Sequence, residues 1–267
     1  MASSPDRDQD HVRACRRRKD AGQPRYEDRD YFVLQWIAEQ GAIRFDQLQR
    51  LLGRESPELD DWKAVLSESA TRNALDRWSV KRYINAAYLV PKEQKYYWLS
   101  TAGLQFIESS LPHYSPKRSE MAYVLACNQA RLHVELLSVL DENEFGEYNA
   151  CTWLSRRALQ SNDPDRTLHV PAAEFETGTR GTLAIEVMIE EPGPVAEKHM
   201  RAYAQGKLGD YSEIWYYALS GPLVELDAIR EKLRQERVDV GRIFTFKADH
   251  ILIPPSRPKR VKKKKSS

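Results

Sequence analysis

The chain has 267 residues, 41% of them hydrophobic and 10% aromatic, enough for two modest domains with real cores. No run of about 18 apolar residues is present, and the polar N-terminus has no apolar signal region, so a membrane span and a secretory leader are excluded as expectations. The formal net charge is only +2, but residues 257–267 carry seven cations and no anion, which leaves −5 for everything before them.

Cys15, Cys127 and Cys151 are far apart and form no CxxC pair, which argues against a zinc ribbon or a disulfide framework and fits a reducing cytoplasm. Residues 1–27, with Arg16, Arg17, Arg18 and Lys19, read as a disordered basic arm. A helix is expected from about Asp30, with Val33, Trp36 and Ile37 at helical spacing and Gly41 to stop it. A second helix follows, capped by Asp46, with Leu48, Leu51 and Leu52 inward and Gly53 at its end. A third runs over 67–78, with Ser67 as N-cap and Ala70, Ala74, Leu75 and Trp78 as its buried stripe. Residues 81–90 and 95–99 read as two strands joined by a turn at 91–94, and Ser100 caps a short helix reaching Ile107. Three helices followed by a hairpin is the order of a winged helix, here 28–111.

Pro112 and Pro116 mark a boundary at 111–117. Beyond it the pattern predicts a long helix over 119–140 and strands over 148–153, 168–176 and 182–190. A helix over 195–205, a strand over 213–219, a helix over 224–237 and a strand over 242–246 complete it. The expected fold class is therefore α+β: a winged helix-turn-helix, then an α/β domain over 118–248 with a mixed central sheet.

On the third helix Arg72, Asn73, Asp76 and Arg77 face away from Leu75 and Trp78. Arg reads guanine and Asn reads adenine in a major groove, so Arg72, Asn73 and Arg77 are expected base contacts. Lys81, Arg82, Lys92 and Lys95 are expected phosphate contacts; over 72–95 six cations oppose two anions. The alternative is an exposed helix face used for protein contacts. Tyr96, Tyr97 and Trp98 read as hairpin core rather than a base-stacking platform. In the tail at 254–267, Lys259, Arg260, Lys262 and Lys263 are expected to add non-specific electrostatic capture through counterion release. A nuclear-import signal and a solubilising tail are the other readings.

Several segments resemble the replication-relaxation family of plasmid and integrative-element proteins. They are residues 72–78, Tyr97-Trp98-Leu99-Ser100, Ala102-Gly103-Leu104, Asn128 and Arg131, Trp153-Leu154-Ser155-Arg156-Arg157, His169-Val170-Pro171 and Ala184-Ile185-Glu186-Val187. The resemblance covers about 30–232. It implies a winged helix followed by a domain similar to the PD-(D/E)xK nucleases, with roles in replication control, mobilisation or transcription of mobile DNA.

That nuclease chemistry needs carboxylates on adjacent strands to hold Mg²⁺ and a lysine to activate water. Here Pro171-Ala172 stands where Pro-Asp is wanted and Glu186-Val187-Met188 where Glu-x-Lys is wanted. Glu186 and Lys198 are vestigial candidates, with Glu174, Glu176 and Glu190 as conceivable substitutes but expected as solvated surface charges. The reading is a non-catalytic scaffold; the alternatives are a rearranged metal-dependent nuclease, or an adaptor recruiting a relaxase, replication initiator or other protein. His133 and His169 read as packed or hydrogen-bonded histidines rather than metal ligands, since no HxxxH or HExxH spacing exists. No phosphate loop, nucleophile elbow or cofactor motif is present, so no cofactor is expected. The expected partner is double-stranded DNA, in a bacterial cytoplasm, with a homodimer possible on a palindromic site.

Overall fold

The structure is a computed structural model, which describes residues 28–56, 65–140, 152–166, 169–177 and 181–248. Two sheets organise the chain, and one long helix lies against both.

In the first half α1 (Asp28–Gln40), β1 (Ile43–Arg44), α2 (Phe45–Arg54) and α3 (Glu68–Val80) precede the hairpin β2 (Ile84–Ala87) and β3 (Tyr96–Leu99), and α4 (Thr101–Phe106) follows. The strands make a three-stranded antiparallel sheet in the order β1-β3-β2. Val33, Leu34, Trp36 and Ile37 of α1, Leu48, Leu51 and Leu52 of α2, and Ala74, Leu75 and Trp78 of α3 close one core over Ile43, Tyr97 and Leu99. Burying each large side chain in such a core contributes about 1.5–3 kcal/mol.

Local signals account for several helix ends. Ser67 and Ser100 accept from the amides of Ala70 and Gly103, satisfying first-turn donors. Gly41 adopts φ +89, the left-handed conformation that stops α1. A Cβ on Gly103 would meet the Tyr83 carbonyl at 2.1 Å, so α4 can sit against the hairpin only with glycine there.

Elsewhere the chain departs from expectation. Asp46 does not cap α2: Arg44 grips its carboxylate, Nε to Oδ1 2.6 Å and Nη2 to Oδ2 2.8 Å, and Arg44 is itself the N-cap residue. Gly53 is buried inside α2, which runs on to Arg54. On α3 the fourth buried position is Thr71, while Ala70 is half-buried. The first hairpin strand is shorter than 81–90 because Arg82, at φ 57, turns the chain out of α3, and Tyr83 donates back to the Trp78 carbonyl. The two-residue strand β1 carries no periodicity of its own; it exists because Ile43 and Arg44 pair with Tyr97 and Tyr96.

In the second half a short 3₁₀ turn (Arg118–Glu120) leads into α5 (Met121–Leu140). Then come β4 (Thr152–Ser155), α6 (Arg156–Asn162), β5 (Ala173–Thr177), β6 (Gly181–Met188), α7 (Gly193–Ala204), β7 (Glu213–Ala218), α8 (Ser220–Gln235) and β8 (Ile243–Lys247). The sheet runs β4-β5-β6-β7-β8, antiparallel up to β6 and parallel from β6 to β8, so it is mixed as expected. The helix α6 was not anticipated; Ser155 caps it by accepting from the Ala158 amide. β5 starts at Ala173 rather than 168, after Pro171, which has no N–H for a ladder. α8 begins at Ser220, four residues before 224, with Pro222 tolerated in its first turn.

Strand alternation divides β6 between two layers. Leu183, Ile185 and Val187 pack with Ala126, Cys127, Ala130 and Val134 of α5. Ala184 lies on the other face with Met200 and Tyr203 of α7 and Leu226 and Leu233 of α8. Burial in this first layer pushes the Cys127 thiol up to about 12, so it stays protonated and unreactive at neutral pH.

α5 also seals the first half. Met121 and Val124 pack with Ala42 and Tyr96. Asn128 donates to the Ala42 carbonyl at 2.8 Å and to Gln47 Oε1 at 3.0 Å. Arg131 joins Glu39 and Glu135, each at 2.6 Å, between the rings of Trp36 and Trp153. Burial disfavours the Glu135 carboxylate, but the guanidiniums of Arg131 and Arg54 outweigh it and hold its pKa below the usual value. No helix among the described residues is long and apolar enough to cross a membrane.

Candidate functional site: a basic helix and hairpin, and a closed carboxylate network

Arg72, Asn73, Asp76, Lys81, Arg82, Lys92 and Lys95 are all exposed. Arg72 pairs with Glu68 one turn back, at 2.7 Å, and lies over the Phe45 ring. It also sits near the hydroxyls of Tyr97 and Tyr88, which brings α3 and the hairpin to one side. Tyr88, 71% exposed near the hairpin tip, carries the Lys95 ammonium over its ring at 5.2 Å. Lys81, Arg82, Lys92 and Lys95 make no ion pair with any described residue. Tyr96 and Tyr97 are buried, on opposite faces of β3, and Trp98 is half-buried, as a hairpin core requires.

Arg77 is placed differently from expectation. Its Nη2 donates to Asp30 at 2.9 Å, and Asp30 is fully buried at the start of α1. Trp78 Nε1 donates to the same carboxylate at 3.0 Å. Arg77 is a structural cation of the core edge rather than a side chain extended to solvent. Lys259, Arg260, Lys262 and Lys263 lie outside the described residues, as do 1–27.

The second half gathers residues that spacing had left scattered. Glu186 is 5% exposed on the α7 face of β6. Its Oε1 accepts from Tyr203 at 2.5 Å and meets His169 Nε2 at 2.7 Å. His199 lies against His169 with ring centroids 4.2 Å apart. His169 is therefore not isolated, and its partners come from 17 residues downstream on β6 and from α7. Burial, and then the neighbouring His169, lower the His199 pKa. Burial, then Glu186, raises that of Tyr203 far above its ordinary range, so the tyrosine remains a proton donor. Lys198 projects to solvent one residue before His199 and makes no ion pair with Glu186.

Glu174, expected as a surface charge, is half-buried and held by Arg166 Nη2 at 2.9 Å and the Tyr211 hydroxyl at 2.6 Å. Ala172, which stands where the nuclease resemblance implies an aspartate, is buried. Glu174 and Glu186 are thus occupied by protein donors, Glu176 on the same face of β5 is exposed, and among the described residues no group of three His, Cys, Asp or Glu could hold a metal ion. The residues present do not fit the divalent cation that the nuclease resemblance implies.

The order of chemistry along β5 and β6 was legible in the sequence; the convergence of His169, His199 and Tyr203 on Glu186 was not, because α7 delivers two of the three from a separate element. Compared with protein-family models, with curated proteins and with solved structures, the chain matches none.

Proposed function

We propose that the protein binds duplex DNA without cleaving it, holding the duplex through its N-terminal half as a winged helix. The order α1-β1-α2-α3-β2-β3 with a three-stranded sheet is that of a winged helix, with α3 as the recognition helix and the β2–β3 hairpin as the wing. Arg72 and Asn73 face base edges; Lys81, Arg82, Lys92 and Lys95 face phosphates. The observation that carries this reading is the set of four exposed cations around α3 and the hairpin that no described carboxylate neutralises. Arg44, Arg54, Arg77 and Arg131, by contrast, are all paired. Unpaired surface cations on one side are what a polyanion requires.

The second half supports a nuclease-like scaffold that does not cut. A helix, three antiparallel strands with the short α6 between the first two, a helix and a parallel strand are consistent with the order of the PD-(D/E)xK fold, while Ala172, Met188 and the occupied Glu174 and Glu186 argue against its metal chemistry. A cytoplasmic role on mobile DNA, with a relaxase, replication initiator or second copy as partner, follows from the same resemblance.

Fluorescence anisotropy with labelled duplexes selected from random fragments tests the reading. Binding is expected at low salt, with Arg72→Ala and Asn73→Ala each weakening the preferred site by about 1–3 kcal/mol and relaxing its sequence preference. Lys92→Ala with Lys95→Ala is expected to weaken all duplexes alike. Absence of binding at low ionic strength would overturn the assignment.

A further inference from the structure

A cavity of about 390 Å³ opens between the two halves, where α1, the 111–117 connection, α5 and α6 meet. Pockets of this size at such junctions are common ligand sites. Tyr114, Tyr123, Val124 and Ala172 supply an apolar wall, and Arg156, Arg157 and Gln40 the polar one.

The hydrogen-bonding capacity of that wall is unbalanced. Arg156 and Arg157 have no carboxylate partner among the described residues, unlike the paired arginines elsewhere. Arg156 Nε donates to the Pro171 carbonyl and its guanidinium lies over Tyr123. Arg157 donates to the carbonyls of Ala38 and Pro112 and lies over Tyr114. Burial lowers the Arg157 pKa, with no anion to compensate.

The two wall carboxylates are already committed. Glu39 accepts from Arg131 at 2.6 Å and Gln35 at 2.8 Å, and Glu120 accepts from Tyr114 at 2.9 Å. The Gln40 amide nitrogen, in a residue only 8% exposed, has no hydrogen-bond partner among the described residues, while the Tyr123 hydroxyl lies against the Cys127 thiol. A donor left buried and unpaired is costly, and the cavity that Gln40 borders supplies room for an acceptor.

We propose that this cavity binds a small organic anion whose oxyanion head meets Arg156, Arg157 and the Gln40 amide, with its apolar body between Tyr114 and Tyr123. A carboxylate and a phosphate monoester share that head-group chemistry. Because Arg157 spans Ala38 of the first half and α6 of the second, an occupant ties the two halves together. The site is separate from α3 and the hairpin, so its failure and that of the DNA reading are distinguishable.

Benzoate, phenyl phosphate, inorganic phosphate and benzyl alcohol, titrated into the full-length protein by calorimetry and thermal melting, test the proposal. Benzoate or phenyl phosphate is expected to bind saturably and raise Tm, whichever of the two binds more tightly naming the head group. Benzyl alcohol, lacking the charge, and inorganic phosphate, lacking the body, should bind at least about tenfold more weakly. Arg156→Gln and Gln40→Met should each lower the affinity by about tenfold or more. Gln40→Met keeps the shape and removes an unpaired donor, so its Tm without ligand should not fall. Arg72→Ala, outside the cavity, should leave the affinity unchanged. No saturable binding of either aromatic anion, or equal binding by the wild type and Gln40→Met, would overturn it.

Discussion

Arg77 and Asp30 form an ion pair at 2.9 Å that bolts the last turn of α3 to the first turn of α1. Asp30 is fully enclosed and also accepts from Trp78, so the carboxylate is satisfied from two adjacent positions of one helix.

Replacing Arg77 with Ala removes the cation that faces a buried carboxylate. The expected cost is about 2–3 kcal/mol, below the usual value for a fully buried pair because Arg77 keeps some solvent contact. Urea unfolding should show this loss, while affinity for preferred and random duplexes falls by the same factor. A loss of sequence preference with unchanged stability would return Arg77 to the base contacts.

Plasmid DNA incubated with the protein and Mg²⁺ or Mn²⁺ should remain intact, because Glu186 and Glu174 are occupied by Tyr203, His169, Arg166 and Tyr211. Glu186→Ala should instead lower stability by about 1–3 kcal/mol, since the Tyr203 hydroxyl is left buried without an acceptor. Metal-dependent nicking that disappears in Glu186→Ala would contradict the non-catalytic reading.

The pH dependence has a defined sign. Burial lowers the pKa of His133, which meets the Tyr217 hydroxyl at 2.8 Å, and of His199, both from an ordinary 6.5. The unfolded chain therefore binds protons at a higher pH than the folded one. Stability is fully present above 6.5 and declines as pH falls through that value towards the lower folded pKa. Glu135, held below its ordinary 4.5, adds a second loss at more acidic pH. Denaturant melts of His133→Phe should be flatter than wild type between about pH 5 and 7; parallel curves would remove His133 from the titration.

Deleting residues 257–267 should weaken binding to every duplex. If the tail neutralises about five phosphates, the log-log salt slope should become shallower by roughly 4–5. An unaltered slope would place the tail outside the interface.

The sequence alone determined whatever depends on neighbours a few positions apart. Ser67 and Ser100 announced two helix starts, Gly41 a stop, and 182–190 a strand, because caps, φ preferences and strand propensity are local properties. The exposed cations of α3 and the hairpin were legible for the same reason. Only the tertiary structure decided that Arg77 turns to Asp30, 47 residues away, that β1 forms at all, and that His169 and Tyr203 converge on Glu186. It likewise decided that Arg156 and Arg157 border a cavity with the far end of α1. A charged side chain carries no local mark of its partner: burial and the absence of competing water select the pairing, and both arise only once distant elements pack.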